Sequence, residues 1–286
     1  MVLFPNCKIN LGLRVTVRRP DGYHDLETVF YPIPLRDAAE VTISRPTPHA
    51  SRLTPHDDFE LTITGSEIPG NISSNLCTKA WQLIKKDFPG IPAVRMHLHK
   101  AIPVGGGLAG GSSDAAFTLM LLNEELKLNL TPEQLLSYAL MLGSDCPFFI
   151  INKPVYATGR GEIMEEINID LSGHYFVIAN TGKHVSTAEA FSEIIISPDV
   201  KPSLKETLSQ PVTEWKNSLV NQFEGSVFKK HPELKEIKNK LYESGAVYAS
   251  MTGTGSSIYG IFHNSKKTAN LLAGEKFRVH ILNQSH

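Results

Sequence analysis

Pro103-Val-Gly-Gly-Gly-Leu-Ala-Gly-Gly-Ser-Ser113, continued as Asp114-Ala-Ala-Phe-Thr-Leu-Met-Leu-Leu122, sets the terms for the rest of the chain. Five glycines stand between a proline and two serines. Apolar residues then fall at Ala115, Ala116, Leu119, Met120 and Leu122, the spacing of a helix with one buried stripe. Ser112, Ser113 and Asp114 are natural N-cap residues, so the glycines are expected just before a helix start. Free backbone N–H groups and the positive end of the helix dipole converge there, and such a place holds an anion, most often a phosphate. Glycine lets the backbone take positive φ and approach the ligand with no Cβ in the way.

No Gly-Lys-Ser/Thr closes the loop, so it is not a Walker A loop. Gly105, Gly107 and Gly110 make a literal G-x-G-x-x-G, but a dinucleotide fold wants a fully apolar parallel strand before it. Val94-Arg-Met-His-Leu-His-Lys100 instead alternates strictly and reads as a half-buried antiparallel strand. A flexible Gly/Ser linker would not lead straight into a strong helix. The expectation is a nucleotide-phosphate loop of a third kind.

The 286 residues are 41% hydrophobic and 20% charged, ordinary values for a globular protein, and the net charge is −1. No basic field points to nucleic acid, and no apolar run reaches membrane-spanning length. Met1-Val-Leu-Phe runs straight into Pro5, which does not read as a signal peptide. Cys7, Cys77 and Cys146 lie far apart, which suggests reduced thiols and a cytoplasmic address. His97 and His99 share a strand face without a third ligand, the pattern of a solvated face.

Residues 2–17 alternate, with Ile9, Leu11, Leu13, Val15 and Val17 on one side. Lys8, Asn10, Gly12, Arg14 and Thr16 take the other, which is either solvent-exposed or functional. Pro20-Asp-Gly22 signals a turn. Tyr23 and His24 follow, either to stack on a flat ligand or to pack the turn itself. Strands are expected at 41–43 and 59–64, with a loop around 45–57 between them. Asn75 either caps a following helix or meets a ligand. Thr131-Pro-Glu-Gln134 starts a helix that runs to Gly143. In Gly143-Ser-Asp-Cys-Pro147, Asp145 is either a helix cap or a working carboxylate. Strands at 155–158 and 175–179, a helix at 187–194 and a surface loop at 197–213 follow. Helices are expected around 215–229, 233–244 and 265–274, and a last strand at 276–282. Met251-Thr-Gly-Thr-Gly-Ser-Ser257 is a second glycine loop, read equally as a tight bend or a second phosphate contact.

Pro5-Asn-Cys-Lys-Ile-Asn-Leu-Gly12, Asp21-Gly-Tyr-His24, Pro103–Ser113, Gly143-Ser-Asp-Cys-Pro147 and Met251-Thr-Gly-Thr-Gly255 occur in this order. Together they resemble the GHMP small-molecule kinases over nearly the whole chain. The resemblance implies an α+β fold of two domains. An N-terminal ribosomal-protein-S5-like α/β domain, residues 1–155, binds ATP and carries the catalytic residues. A C-terminal ferredoxin-like α/β sandwich, residues 156–286, binds substrate. It also implies ATP and Mg²⁺ as cofactors and phosphorylation of a small-molecule alcohol, with the Asp21–His24 block pointing to cytidine diphosphate-linked methylerythritol. Asp145 would accept the hydroxyl proton, with Lys8 beside it. Pro103, Val104, Gly105, Gly106, Gly107, Leu108, Ala109, Gly110, Gly111, Ser112 and Ser113 would wrap the phosphates. Asn75, Leu76 and Lys100 match the adenine side. Tyr23, His24 and Phe191 match the cytidine pocket, and Asn10 and Thr187 the rest of the substrate. Ser112 or Ser113 would reach Mg²⁺. Gln134 stands about where some members place a second acid, which leaves Mg²⁺ chiefly to ATP, water and a serine.

Overall fold

The structure, a computed structural model, describes residues 1–43, 58–194, 196, 202–263 and 278–283. In chain order the elements are β1 (Val2–Leu3), β2 (Asn6–Arg18), β3 (His24–Arg36), β4 (Ala38–Ile43) and β5 (Phe59–Gly65). Then come α1 (Leu76–Asp87), β6 (Val94–Lys100), α2 (Gly110–Glu125), α3 (Pro132–Leu142), α4 (Cys146–Ile151), β7 (Val155–Thr158) and β8 (Ile163–Glu166). β9 (Tyr175–Asn180), α5 (Thr187–Phe191), α6 (Leu204–Leu208), α7 (Glu224–Lys230), α8 (Pro232–Glu243), β10 (Tyr248–Met251), β11 (Ile258–Phe262) and β12 (Arg278–Asn283) complete the series.

The chain forms two compact units, each discontinuous in sequence. Unit 1 is Met1–Asn6, Arg36–Val104 and Gly110–Asn152; unit 2 is Cys7–Leu35, Gly105–Ala109 and Lys153–His286. Most of β2 and β3 and five loop residues group with the C-terminal half.

Unit 1 is built on a sheet of order β1-β4-β6-β5. β6 alternates as read, with Val94, Met96 and Leu98 buried. Its neighbours are mixed rather than antiparallel alone: β4 pairs antiparallel and β5 parallel. The parallel pairing follows from a crossover, since α1 lies between β5 and β6 in the chain. Trp81, Ile84, Leu119, Leu122 and Leu135 share the core beneath this sheet. α2 is buried nearly all round, not along one stripe, because α1, α3, α4 and β4 enclose it. It begins at Gly110, earlier than its serines suggested, so Ser113 and Asp114 lie inside the helix. Asn75 caps α1 by accepting from the Cys77 N–H at 2.8 Å. α3 shows the full capping box: Thr131 accepts from Gln134 N–H at 3.3 Å and Gln134 accepts from Thr131 N–H at 2.9 Å.

Unit 2 holds two sheets, ordered β2-β3-β7-β8 and β10-β11-β9-β12. In the second, every pairing is antiparallel and the spatial order is that of a ferredoxin-like sandwich. Leu13 and Val15 of β2 join a core with Val177, Phe223, Leu241 and Ile258. The polar side of β2 is interior as well, with Lys8, Asn10 and Arg14 only 3%, 1% and 5% exposed. A solvent-facing reading of that side is thereby overturned. The stretch expected as a loop at 197–213 contains α6, which carries its own capping box from Ser203 and Glu206. The helix expected from 215 is instead a 3-10 turn over Val212–Asn217, and α7 starts only at Glu224. The expected loop at 45–57, residues 197–201 and the expected helix at 265–274 lie outside the described residues, as does the start of the strand at 276–282.

Candidate active site

In unit 2, β2 brings Lys8 and Asn10 against the first glycine loop. The Lys8 ammonium donates to Asn10 Oδ1 at 2.7 Å and to the Gly107 carbonyl at 3.3 Å, and lies 4.9 Å from the Phe30 ring centroid. Lys8 N–H also donates to the Leu108 carbonyl at 3.1 Å. Asn10 is spent on scaffold: its Nδ2 donates to Thr28 Oγ1 at 2.9 Å, and its Oδ1 accepts from Gly253 N–H at 2.9 Å. The Thr252 hydroxyl accepts from Asn10 N–H and stands 3.1 Å from Asn10 Oδ1 and 3.2 Å from the Gly107 carbonyl. Asn10, expected at the substrate, is buried and links the two glycine loops through these bonds.

The second glycine loop is the floor of the first. Ser257 N–H donates to the Gly106 carbonyl at 3.1 Å, and Asn180 Nδ2 to Ser257 Oγ at 2.9 Å. Gly107 has φ +77° and no room for a Cβ, which would overlap the Thr252 carbonyl oxygen. Here glycine is required both by conformation and by close approach.

Elsewhere in unit 2, His24 stacks on Phe191 with centroids 4.6 Å apart and planes 29° apart, and Phe191 meets Phe223 edge-on. Tyr23 is 56% exposed, with the Arg160 guanidinium 4.9 Å from its ring centroid. Asp21 Oδ1 accepts from Tyr23 N–H at 3.0 Å and shapes the turn that carries both rings. Thr187 is exposed at the start of α5, whose cap is Ser186. The structure thus brings His24 and Phe191 together from positions far apart in the chain. A polar cluster of Arg14, Glu27 and Tyr156 was not read from the sequence: Glu27 takes Arg14 at 3.4 Å and the Tyr156 hydroxyl at 2.9 Å. Burial, then the Glu27 bond, pushes the Tyr156 hydroxyl up to about 12.

In unit 1, Asp145 is half-buried at the N-cap position of α4, yet its side chain makes no capping bond. Ser112 hydrogen-bonds the thiol of Cys146, the next residue, which burial pushes up to about 12. Pro103 is buried, Val104 and Gly111 are exposed, and Leu76 packs partly against the core. Ser113 Oγ is fully buried without a hydrogen-bond partner. Gln134 is engaged in the capping box of its own helix start.

Lys100 departs most from expectation. Its ammonium is buried between two carboxylates, bonded to Asp37 Oδ2 and to Asp114 Oδ2, the latter at 2.5 Å. Asp37 was not singled out from the sequence and Asp114 only as a natural N-cap residue, since only the fold joins residues 37, 100 and 114. Burial alone lowers the Lys100 pKa, but Asp114 and Asp37 outweigh it and hold it raised. Burial, together with Asp37 and against the pull of Lys100, lifts Asp114 from 3.8 to about 7. Two carboxylates against one ammonium leave a buried excess of negative charge. The sign follows: a raised folded pKa favours the fold below the unfolded value and loses that contribution as pH rises through 7. Asp114→Asn is therefore expected to gain stability relative to the parent from pH 4 to 7 and level off above. Paired Tm measurements across that range check it, and a pH-independent difference would refute it. Facing groups in this comparison are Lys100, Asp37 and Cys77.

Among the described residues no group of three or more His, Cys, Asp or Glu side chains is arranged to hold a metal ion. The unpartnered Ser113 hydroxyl suits a single contact to a cation that arrives already bound to phosphate oxygens.

The GHMP kinases N terminal domain family matches residues 75–153, and the GHMP kinases C terminal family matches residues 203–274. The 4-diphosphocytidyl-2-C-methyl-D-erythritol kinase of Bacteroides thetaiotaomicron is 51% identical over 262 residues, covering 92% of both chains. The Bacteroides fragilis protein of the same name is 48% identical over 272 residues, covering 93% of this chain and 94% of its own. A crystal structure of 4-(cytidine 5'-diphospho)-2C-methyl-D-erythritol kinase superposes with a TM-score of 0.79 at 28% identity, covering 100% of each chain.

Proposed function

The chain belongs to the GHMP kinase family, and from that membership we propose that it transfers the γ-phosphoryl group of ATP to the 2-hydroxyl of 4-diphosphocytidyl-2-C-methyl-D-erythritol. Relatives that carry this kinase's name match nearly the whole chain.

The observation that carries the reading is the buried ammonium of Lys8 on the glycine loop. A cation desolvated there is charge stabilisation in place before reaction. Phosphoryl transfer asks little covalent chemistry of the protein, so positioning and charge do most of the catalysis. Asp145 accepts the proton of the substrate hydroxyl, and Lys8 stabilises charge on the attacking oxygen and the γ-phosphoryl group. The backbone of Pro103–Ser113 receives the phosphates, and Asn75 and Leu76 flank the adenine. Tyr23, His24 and Phe191 receive the cytosine, with Thr187 on the rest of the substrate. Ser112 or Ser113 would hold a Mg²⁺ that arrives with the phosphates, which would supply neutralisation of their charge.

Homoserine and mevalonate kinases share the fold at 14% and 16% identity, a likeness that concerns architecture alone. Their substrates offer no base to stack, whereas the His24–Phe191 pair is an aromatic platform. Assay of a panel of alcohols with ATP separates the readings. Turnover is expected with the cytidyl alcohol and not with homoserine or mevalonate; the reverse pattern would refute the substrate assignment.

A further inference from the structure

Lys100, Asp37 and Asp114 are shut off from any ligand, with side chains 2%, 0% and 2% exposed. Yet all three lie at the two ends of the glycine loop. Asp37 Oδ1 accepts from Ala101 N–H at 2.6 Å and Ile102 N–H at 2.8 Å, the last residues before Pro103. The Lys100 carbonyl accepts from Ser66 N–H at 2.9 Å, so the strand end is anchored from β5 too. Lys100 then reaches Asp114 on the first turns of α2. At Gly110, the first residue of α2, a Cβ would stand 2.9 Å from Ile102 Cγ2 and 3.4 Å from Lys100 Nζ. The chain entering the loop and the helix leaving it are seated on one another through this cluster.

We propose that Asp37, Lys100 and Asp114 are positioning residues for ATP: they pin both ends of the Pro103–Ser113 loop and so set the backbone that receives the phosphates. Lys100 thus serves the nucleotide without touching it. Asp37 orders two amides of the incoming chain, and Lys100 carries that order across to α2. A loop held at only one end would present its N–H groups with a spread of positions, and misplacement by about 1 Å costs on the order of 100-fold in such reactions. The inference rests on the ATP-kinase reading above.

The test compares Asp114→Leu with Asp114→Asn. Leucine is close in size, leaves the Lys100–Asp37 pair intact and neutral, and cannot accept from Lys100. Asparagine can. ATP dissociation constants by calorimetry without acceptor alcohol, KM for each substrate and Tm are read. For Asp114→Leu, ATP Kd and KM are expected to rise about tenfold or more, with the cytidyl-alcohol KM within about twofold. Asp114→Asn is expected to restore ATP binding to within about threefold of the parent. A folded Asp114→Leu protein with unchanged ATP Kd overturns the proposal. An equal rise in both KM values does so too, since it marks a general structural role. Should the leucine variant not fold, Asp37→Ala, which removes both the acceptor for the two amides and the Lys100 contact, carries the same test, and unchanged ATP affinity there refutes it. A parent protein that binds no ATP at all sinks the kinase reading itself, and this inference with it.

Discussion

Asp145→Asn is expected to lower kcat by about 10²–10⁴-fold while ATP binds with unchanged affinity. The loss is that of a carboxylate able to receive a proton, replaced by an amide of the same shape that is not. Stability should change little. Asp145 stands at the N-cap of α4 in αR conformation, and its side chain contributes no capping bond that asparagine would forfeit. Asparagine is in any case an equally good N-cap residue. Steady-state kinetics with both substrates and ATP calorimetry form the measurement. Unchanged turnover would remove Asp145 from the mechanism.

The second large effect is expected from Gly107→Ala. Gly107 has φ +77°, a conformation that costs an L-residue about 1–2 kcal/mol. The added Cβ would also overlap the Thr252 carbonyl, which belongs to the floor of the loop and is backbone that cannot rotate away. The loop must therefore lift, taking with it the Gly107 carbonyl that holds the Lys8 ammonium. A displacement of about 1 Å predicts a fall in kcat/KM of roughly 100-fold. Gly225→Ala is the control: it sits in α7 with open space at its Cβ and negative φ, so alanine is tolerated or mildly stabilising. Equal kinetics for Gly107→Ala and the parent would refute the claim that this glycine is sterically required.

Much of the local structure could be read along the chain. The strict alternation of 94–100 gave a half-buried strand, and Thr131-Pro-Glu-Gln134 gave a helix start whose capping box is present bond for bond. These signals are local, so a short window contains all the physics. Helix starts set by packing were less legible. α2 begins before its serines because the loop seats Gly110 on Ile102 and Lys100, and burial on every side overrides a cap preference. The segment around residues 212–223 has apolar residues at nearly helical spacing. Only Val212–Asn217 coils there, as a 3-10 turn, and beyond it the Asn221 side chain donates to the Met251 and Gly253 carbonyls.

Read as a string of residues, the chain already held its family, its two glycine loops and its candidate reactive groups, because glycine spacing, turn chemistry and alternation are properties of neighbouring residues. It could not hold the fate of the polar side of β2. Lys8, Asn10 and Arg14 have the pattern of a wet face, and only the two glycine loops, Glu27 and the Pro202 carbonyl, arriving from elsewhere in the chain, make that face interior. Nor could it reveal that Lys100 is claimed by Asp37 and Asp114. An ion pair needs partners within a few ångströms, and that proximity exists only once β4, β6 and α2 have packed. The types of groups present were a matter of sequence; which of them meet a ligand and which hold the others in place was decided by burial, and burial is a property of the folded chain.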